Sequence, residues 1–280
     1  MQVLMRFLIV IMLVFATNTI KFGCHPLLTV YMLKKERQAY ILHQVNLHNK
    51  VLSSLLSREI KVSEDTIRRD LQELADEGKI IKVHGGALSH SFNEVYYPSD
   101  NVYSQDHKQI IAHKAAALIQ NNMFVLTSGG TTIIELARVL PPQLKATFMS
   151  GSIPAILEYM QHPSIDVIMI GDRISKSSKI TIGAEAIAKI KQINADLCLL
   201  GINAIDVKHG ITDNDWEVVQ LKKAMLRSAQ RTVCLTISEK INTLQPIHIC
   251  DVQKIDVLIT ELPPDDPLLK PYADLGIQVL

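Results

Sequence analysis

The chain has 280 residues, with 29 Lys and Arg against 28 Asp and Glu for a net charge of +1, and 48% of its residues are hydrophobic. That length holds a small domain beside one with a full core, and the balance excludes both a disordered chain and a strongly polybasic one. The four cysteines, Cys24, Cys198, Cys234 and Cys250, are scattered with no Cys-x-x-Cys pair, so neither a zinc site, a disulfide framework nor any other cofactor is expected.

The first 31 residues differ in character from the rest of the chain. Phe7 to Ala16 is an uninterrupted apolar run behind Arg6, similar to the hydrophobic region of a signal peptide and short for a membrane span. Met32 is followed at once by Leu33-Lys34-Lys35-Glu36-Arg37-Gln38. The expectation is that translation starts at Met32, that 1–31 is an upstream extension of the reading frame, and that the protein is cytoplasmic with no membrane partner. A membrane-tethered protein with a cytoplasmic C-terminus is the alternative.

From Lys34 to about Asn46, Ile41, Leu42 and Val45 fall at helical spacing, and Val51 to Arg58 reads as a second short helix around Leu52, Leu55 and Leu56. A turn through Glu59 to Val62 leads to a third, from Ser63 to about Glu77. Ser63 is a good N-cap, Glu64 and Asp65 suit the positive end of the helix dipole, and Gly78 can supply the left-handed stop. Ile67, Leu71 and Leu74 make a narrow apolar stripe; Asp65, Arg69 and Gln72 point away from it, with Thr66 and Arg68 on its flanks. Three helices in this order make a helix-turn-helix unit, and the third carries groups suited to phosphates and base edges, Arg above all. The β-branched run Lys79 to His84, ending in Gly85-Gly86, suits a wing against the DNA backbone. Residues 32–90 are therefore a candidate winged helix-turn-helix, with Ser63, Asp65, Thr66, Arg68, Arg69, Gln72, Lys82, His84 and Gly85 as candidate DNA contacts. Charge alone is a weak argument here, since ten basic residues against eight acidic ones leave 32–90 at only +2.

Between Leu88 and Asp106 no period persists, and 91–105 reads as a linker. Beyond it short apolar runs alternate with helical patterns. Strands are expected at 124–127, 146–149, 166–170, 196–200, 232–237 and 257–260, and helices at 110–121, 133–140, 154–160, 184–193 and 217–229. That alternation implies a mostly parallel sheet covered on both faces, a second, α/β domain over 106–280. Several strands end in small residues: Ser128-Gly129-Gly130, Ser150-Gly151-Ser152, Gly171 and Gly201. In an open α/β sheet such strand ends form the ligand crevice. Ser128-Gly129-Gly130-Thr131-Thr132 runs into a helix, where free N–H groups and the dipole favour a phosphate, although such a turn also serves tight packing alone. No Walker A loop, Gly-x-Gly-x-x-Gly fingerprint or nucleophile elbow is present.

Thr66-Ile67-Arg68-Arg69-Asp70-Leu71 with Val83-His84-Gly85-Gly86-Ala87 resembles the N-terminal signature of the DeoR family of regulators. Gly130-Thr131-Thr132, Gly201, His209-Gly210, Lys222-Lys223-Ala224-Met225, Lys240 and Ile255-Asp256-x-Leu258-Ile259-Thr260 resemble landmarks of that family's sensor domain. The resemblance implies a double-stranded DNA operator as partner and a sensor domain similar in fold to ribose-5-phosphate isomerase and glucosamine-6-phosphate isomerase. Its effector would be a phosphorylated sugar or related metabolite, held by Ser128, Gly129, Gly130, Thr131, Thr132, Ser150, Gly151, Ser152, Gly171, Lys222 and Lys240. Five positions depart from the family pattern: Ser128, where Asp is common; Ile237 and Glu239, in place of residues of an Asp-x-Ser-Lys; Val218, often Glu; and Asp172, for the second glycine of a pair.

The expected function is a transcription regulator, a repressor of carbohydrate-use genes acting as a homo-oligomer on paired half-sites. The rival is a sugar-phosphate isomerase fused to a DNA-binding domain. Isomerisation needs a base beside the substrate carbons, and positions 128 and 237 hold Ser and Ile, so no catalytic residue is expected.

Overall fold

The computed structural model describes residues 32–90 and 102–280, and Lys34–Leu280 form one compact unit. The apolar run expected as a leader and most of the expected linker lie outside the described residues. No helix among the described residues is long and apolar enough to cross a membrane.

The N-terminal part holds α1 (Lys34–His48), β1 (Lys50–Leu52), α2 (Ser53–Ile60), α3 (Glu64–Asp76), β2 (Ile81–Val83) and β3 (Gly86–Leu88). Ser63 caps α3, its hydroxyl accepting from the Thr66 N–H at 3.2 Å, and Gly78 has a φ of 71° just beyond the helix. Ile67, Leu71 and Leu74 are buried against Ile41, Val45 and Leu56, which closes a small core of its own. The wing is a three-stranded antiparallel sheet in the order β1-β3-β2. Its outer strand β1 stands where the sequence pattern predicts the first turn of a helix. Asn49 takes a φ of 61°, ends α1, and lets Lys50–Leu52 pair with β3 before α2 begins at Ser53. Gly86 permits that pairing, because a Cβ there would lie 1.9 Å from the Val51 carbonyl oxygen.

In the C-terminal part, seven parallel strands run in the order β15 (Gln278–Val279), β14 (Val257–Ile259), β12 (Ala229–Leu235), β9 (Ala195–Gly201), β4 (Phe124–Thr127), β5 (Thr147–Ser150) and β6 (Asp166–Met169). On one face α4 (Gln105–Ala116), α5 (Thr131–Val139) and α6 (Ile153–Tyr159) bury Ile111, Ile133, Leu136 and Tyr159. On the other, α7 (Ala184–Ile190) and α8 (Trp216–Leu226) bury Ala186, Ile190, Val219 and Met225. A sheet covered on both faces explains why its strands read as continuous apolar runs.

Three further pieces carry no clear sequence period: the hairpin of β7 (Arg173–Ser175) and β8 (Ile180–Ile182), the small sheet of β10 (Ala204–Asp206), β11 (Gly210–Asp213) and β13 (Ile247–Cys250), and α9 (Lys270–Ala273). The chain runs outward from β4 through β5 to β6, then returns to place β9 on the other side of β4. The strand order reverses there, and an α/β sheet opens its ligand crevice at such a point.

Candidate DNA-binding face and ligand crevice

Capping and the apolar stripe fix which way α3 faces. Ser63, Asp65, Arg68, Arg69 and Gln72 are exposed and Thr66 is half-buried; in the wing, Lys82, His84 and Gly85 are exposed. Arg68 lies 3.8 Å from Glu64 and 3.4 Å from Asp65 on its own helix. Lys82 Nζ donates to Gln72 Oε1 at 2.8 Å, tying wing to helix. Arg69 makes no ion pair among the described residues, so its guanidinium is available without breaking a contact.

Asp70, in the same motif, has a role that its spacing does not reveal. Its carboxylate accepts from Arg37 Nε at 2.5 Å and Nη2 at 3.1 Å, with side-chain exposures of 2% for Asp70 and 13% for Arg37. The two hydrogen bonds raise the Arg37 pKa against the opposing effect of burial. This fork clamps α1 to α3 and sets the angle of the exposed face.

At the strand-order reversal a crevice encloses about 840 Å³, counting the solvent in its mouth. Gly129 and Gly130 follow β4, Gly201 ends β9 and Thr236 follows β12; all line it, as do Thr131 and Thr132. Gly130, at a φ of 116°, starts α5, so the N–H groups of Thr131 and Thr132 have no helical acceptor. Lys222 and Lys240 also line the crevice, joined by Lys108 and Lys50, against two carboxylates, Asp213 and Asp215.

Asp213 is held by three donors. Lys222 Nζ reaches its Oδ2 at 2.7 Å, while Asn203 Nδ2 and the Asn214 N–H donate to Oδ1 at 2.8 and 2.7 Å. These donors hold its pKa below the usual carboxylate value although burial pushes it up. Lys240 has only long contacts, 3.4 Å to the Ile202 carbonyl and 3.5 Å to Asn203 Oδ1. Burial, then the neighbouring Lys222, brings its pKa down to about 8. Lys108 donates to the Tyr103 carbonyl, and burial followed by repulsion from Lys240 lowers it to about 7. Positive charge outnumbers negative in a largely buried space, an arrangement that an anion relieves.

Five residues expected in this site do not line it. Ser128 Oγ accepts from the Gly201 N–H at 2.9 Å, locking β4 to β9. Ser150 Oγ donates to the Thr127 carbonyl at 3.1 Å and accepts from the Ser152 N–H at 3.2 Å. Ser152 is buried in that turn, and Gly151 is small because a Cβ there would lie 2.3 Å from Thr181 Oγ1. Gly171 is exposed at the end of β6, away from the reversal point. Asp172 beside it accepts from the Glu185 and Ala186 N–H groups at 3.0 and 3.1 Å, which caps α7. Among the described residues no group of His, Cys, Asp and Glu could hold a metal ion.

Sequence reasoning misses Lys108, Asp213 and the trio His48, Asn49 and Lys50. Lys108 sits in a polar stretch of α4, and Asp213 on a strand of the small sheet that shows no alternation. The trio comes from the winged helix-turn-helix, which the linker separates from the crevice in sequence. Lys50 Nζ lies 3.1 Å from Asp215 Oδ2, Asn214 Nδ2 donates to the Lys50 carbonyl at 2.8 Å, and Leu47 is buried in the sensor core beside Ile111 and Ile237.

A family model described as the DeoR-like helix-turn-helix domain matches residues 37–92, and one described as the DeoR C terminal sensor domain matches 103–262. Over 246 residues the chain is 30% identical to the HTH-type transcriptional regulator GolR of Listeria innocua, covering 87% of this chain and 97% of that one. It is 25% identical over 250 residues to the glycerol-3-phosphate regulon repressor of Escherichia coli, covering 89% and 99%. It is 26% identical over 252 residues to the HTH-type transcriptional repressor GlcR of Bacillus subtilis, covering 89% and 96%. Among solved structures, ribose 5-phosphate isomerase A of Methanocaldococcus jannaschii matches at a TM-score of 0.37 and 17% identity, over 50% of this chain and 55% of that one.

Proposed function

The chain belongs to the DeoR family of transcriptional regulators, and from that premise we propose that a phosphorylated sugar or related metabolite phosphate in the crevice controls its grip on DNA. The observation that carries this reading is the excess of lysine charge, with Lys108 and Lys240 lacking a carboxylate partner among the described residues, around the free N-terminus of α5. The target genes are those of carbohydrate use and the effect is repression, in keeping with the names of the glycerol-3-phosphate and GlcR relatives. Two copies bind paired half-sites, as helix-turn-helix proteins commonly do.

Asp213 raises the isomerase alternative again, since it is a carboxylate in the crevice. An effective general base has a pKa near the working pH, however, and the Lys222 ion pair with the Asn203 and Asn214 donors holds this carboxylate below the usual value against the effect of burial. Binding without turnover is the reading these contacts support. The test is fluorescence anisotropy of DNA from the gene's own upstream region, titrated with sugar phosphates and their unphosphorylated parents, with each sugar phosphate afterwards assayed for conversion. Release by a phosphate ester, none by the parent sugar and no conversion is the expected result; conversion at enzymatic rates would establish the isomerase.

A further inference from the structure

The crevice is not built from the sensor domain alone. Its wall includes His48, the last residue of α1, and Asn49 and Lys50, the turn that leads into β1 of the DNA-binding unit. Two polar atoms in this wall are buried and make no hydrogen bond: Nδ1 of His48, a residue 6% exposed, and Oδ1 of Asn49. Burying such atoms without partners costs on the order of 1–3 kcal/mol each, so two of them on consecutive residues that line the crevice call for an explanation.

Their chemistry is specific. The Gln245 amide lies 3.4 Å from His48 Nε2, so Nε2 has a partner and Nδ1 is the ring nitrogen left without one. The ring is neutral near neutral pH, because burial first and Lys240 second bring its pKa down to about 3, while Asp213 and the Asn203 backbone pull weakly the other way. An amide oxygen needs a donor, which a hydroxyl supplies and a phosphate dianion does not, and a hydroxyl, which both donates and accepts, serves Nδ1 in either tautomer of the neutral ring.

We propose that His48 Nδ1 and Asn49 Oδ1 bind hydroxyl groups of the ligand whose phosphate the lysines hold, so that the DNA-binding unit itself contacts the ligand and selects its sugar part. This rests on the crevice being a phosphate-ester site. The neighbouring contacts give the selection a consequence. The same turn is fastened to the sensor domain by the Lys50–Asp215 ion pair and by Asn214 on the Lys50 carbonyl, so a ligand seated here bears directly on the joint that orients α3.

The test uses the full chain and calorimetric titration with inorganic phosphate and, in turn, glucose 6-phosphate, fructose 6-phosphate, ribose 5-phosphate and glycerol 3-phosphate. Asn49→Gly removes the amide and keeps the positive φ; His48→Leu removes the ring nitrogen, and His48→Asn puts an amide group near the place of Nδ1. The expected result is that Asn49→Gly and His48→Leu each bind the preferred ester about tenfold more weakly, as loss of one hydrogen bond to a buried group implies, while inorganic phosphate affinity stays within about twofold. His48→Asn should recover part of the loss. Wild-type ester affinity in Asn49→Gly and His48→Leu, with Lys240→Met abolishing binding, overturns the inference and leaves the phosphate site standing. Equal losses for ester and inorganic phosphate overturn the hydroxyl role. If neither probe class binds the wild-type chain, the phosphate site and the inference fall together.

Discussion

At the scale of single residues, the proposed role of Lys240 sets ligand binding against stability. Its ammonium is buried beside Lys222 with no carboxylate of its own, so the folded state carries a cost that a neutral side chain of similar length removes. Lys240→Met should raise the melting temperature at pH 7 while weakening phosphate-ester binding at least tenfold; calorimetry measures both, and a lowered melting temperature would mean the lysine is satisfied inside the protein. The pH dependence has a definite sign. Lys108, facing Lys240, Glu135 and Glu239, and Lys240, facing Lys222, Asp213 and Glu239, are depressed to about 7 and about 8. Below pH 7 both are charged and ligand affinity is highest; it should fall as pH rises through 7 to 8, with proton uptake on binding. Stability moves oppositely. Because the unfolded lysines titrate near 10.4, the folded protein binds fewer protons, so the penalty is full below pH 7 and is relieved between about pH 7 and 10. An affinity flat from pH 6 to 9 would remove these lysines from the binding site.

Asp70 belongs to the same scale and to the DNA-binding face. Asp70→Ala leaves the Arg37 guanidinium mostly buried without its partner, a loss of about 3–5 kcal/mol. Arg69→Ala, by contrast, should leave the melting temperature unchanged and weaken operator binding by about 1–3 kcal/mol if the guanidinium reads a base. Chemical denaturation and operator titration of the two variants separate the clamp from the contact. On this reading the six-residue motif mixes two duties, the Asp70 clamp and the proposed Arg69 contact.

Among the elements, what was legible followed periodicity and capping. Ser63, Gly78 and the Ile67-Leu71-Leu74 stripe specify α3 nearly to its ends, and the six long apolar strands are all recognisable. What escaped is set by contacts distant in sequence. β1 is three residues long and exists because Gly86 lets β3 approach Val51, while β10, β11 and β13 take their register from pairing with one another. The small residues at strand ends mark the right edge of the sheet but not which of them face the ligand, because Ser128, Ser150, Gly151 and Ser152 use their size and hydroxyls to pack the turns. Gly86 gives the clearest test at this scale. Gly86→Ala should unpair β1 from β3 and abolish operator binding, whereas Gly85→Ala, at a φ of 77° with open space around it, should cost only about 1 kcal/mol of local strain. A Gly86→Ala protein that binds operator normally would show that the wing does not need β1.

Over the whole molecule, the DNA-binding unit and the sensor domain are joined where the ligand crevice opens. Leu47 inserts into the sensor core, Lys50 pairs with Asp215, and Tyr103 donates to Glu239 at 2.7 Å and lies 3.4 Å from His43 Nδ1. A ligand can shift an equilibrium only by its differential affinity for the two states, and a crevice walled by both domains provides the means for that difference. The most direct measurement is the operator affinity of the wild-type chain and of Lys240→Met, each with and without a saturating concentration of the phosphate ester that binds the wild type best. The expected result is equal operator affinity for the two proteins without ester, a loss of at least tenfold on adding ester to the wild type, and none on adding it to Lys240→Met. An ester that binds the crevice yet leaves wild-type operator affinity unchanged, or that releases both proteins equally, would contradict control of DNA binding through the crevice.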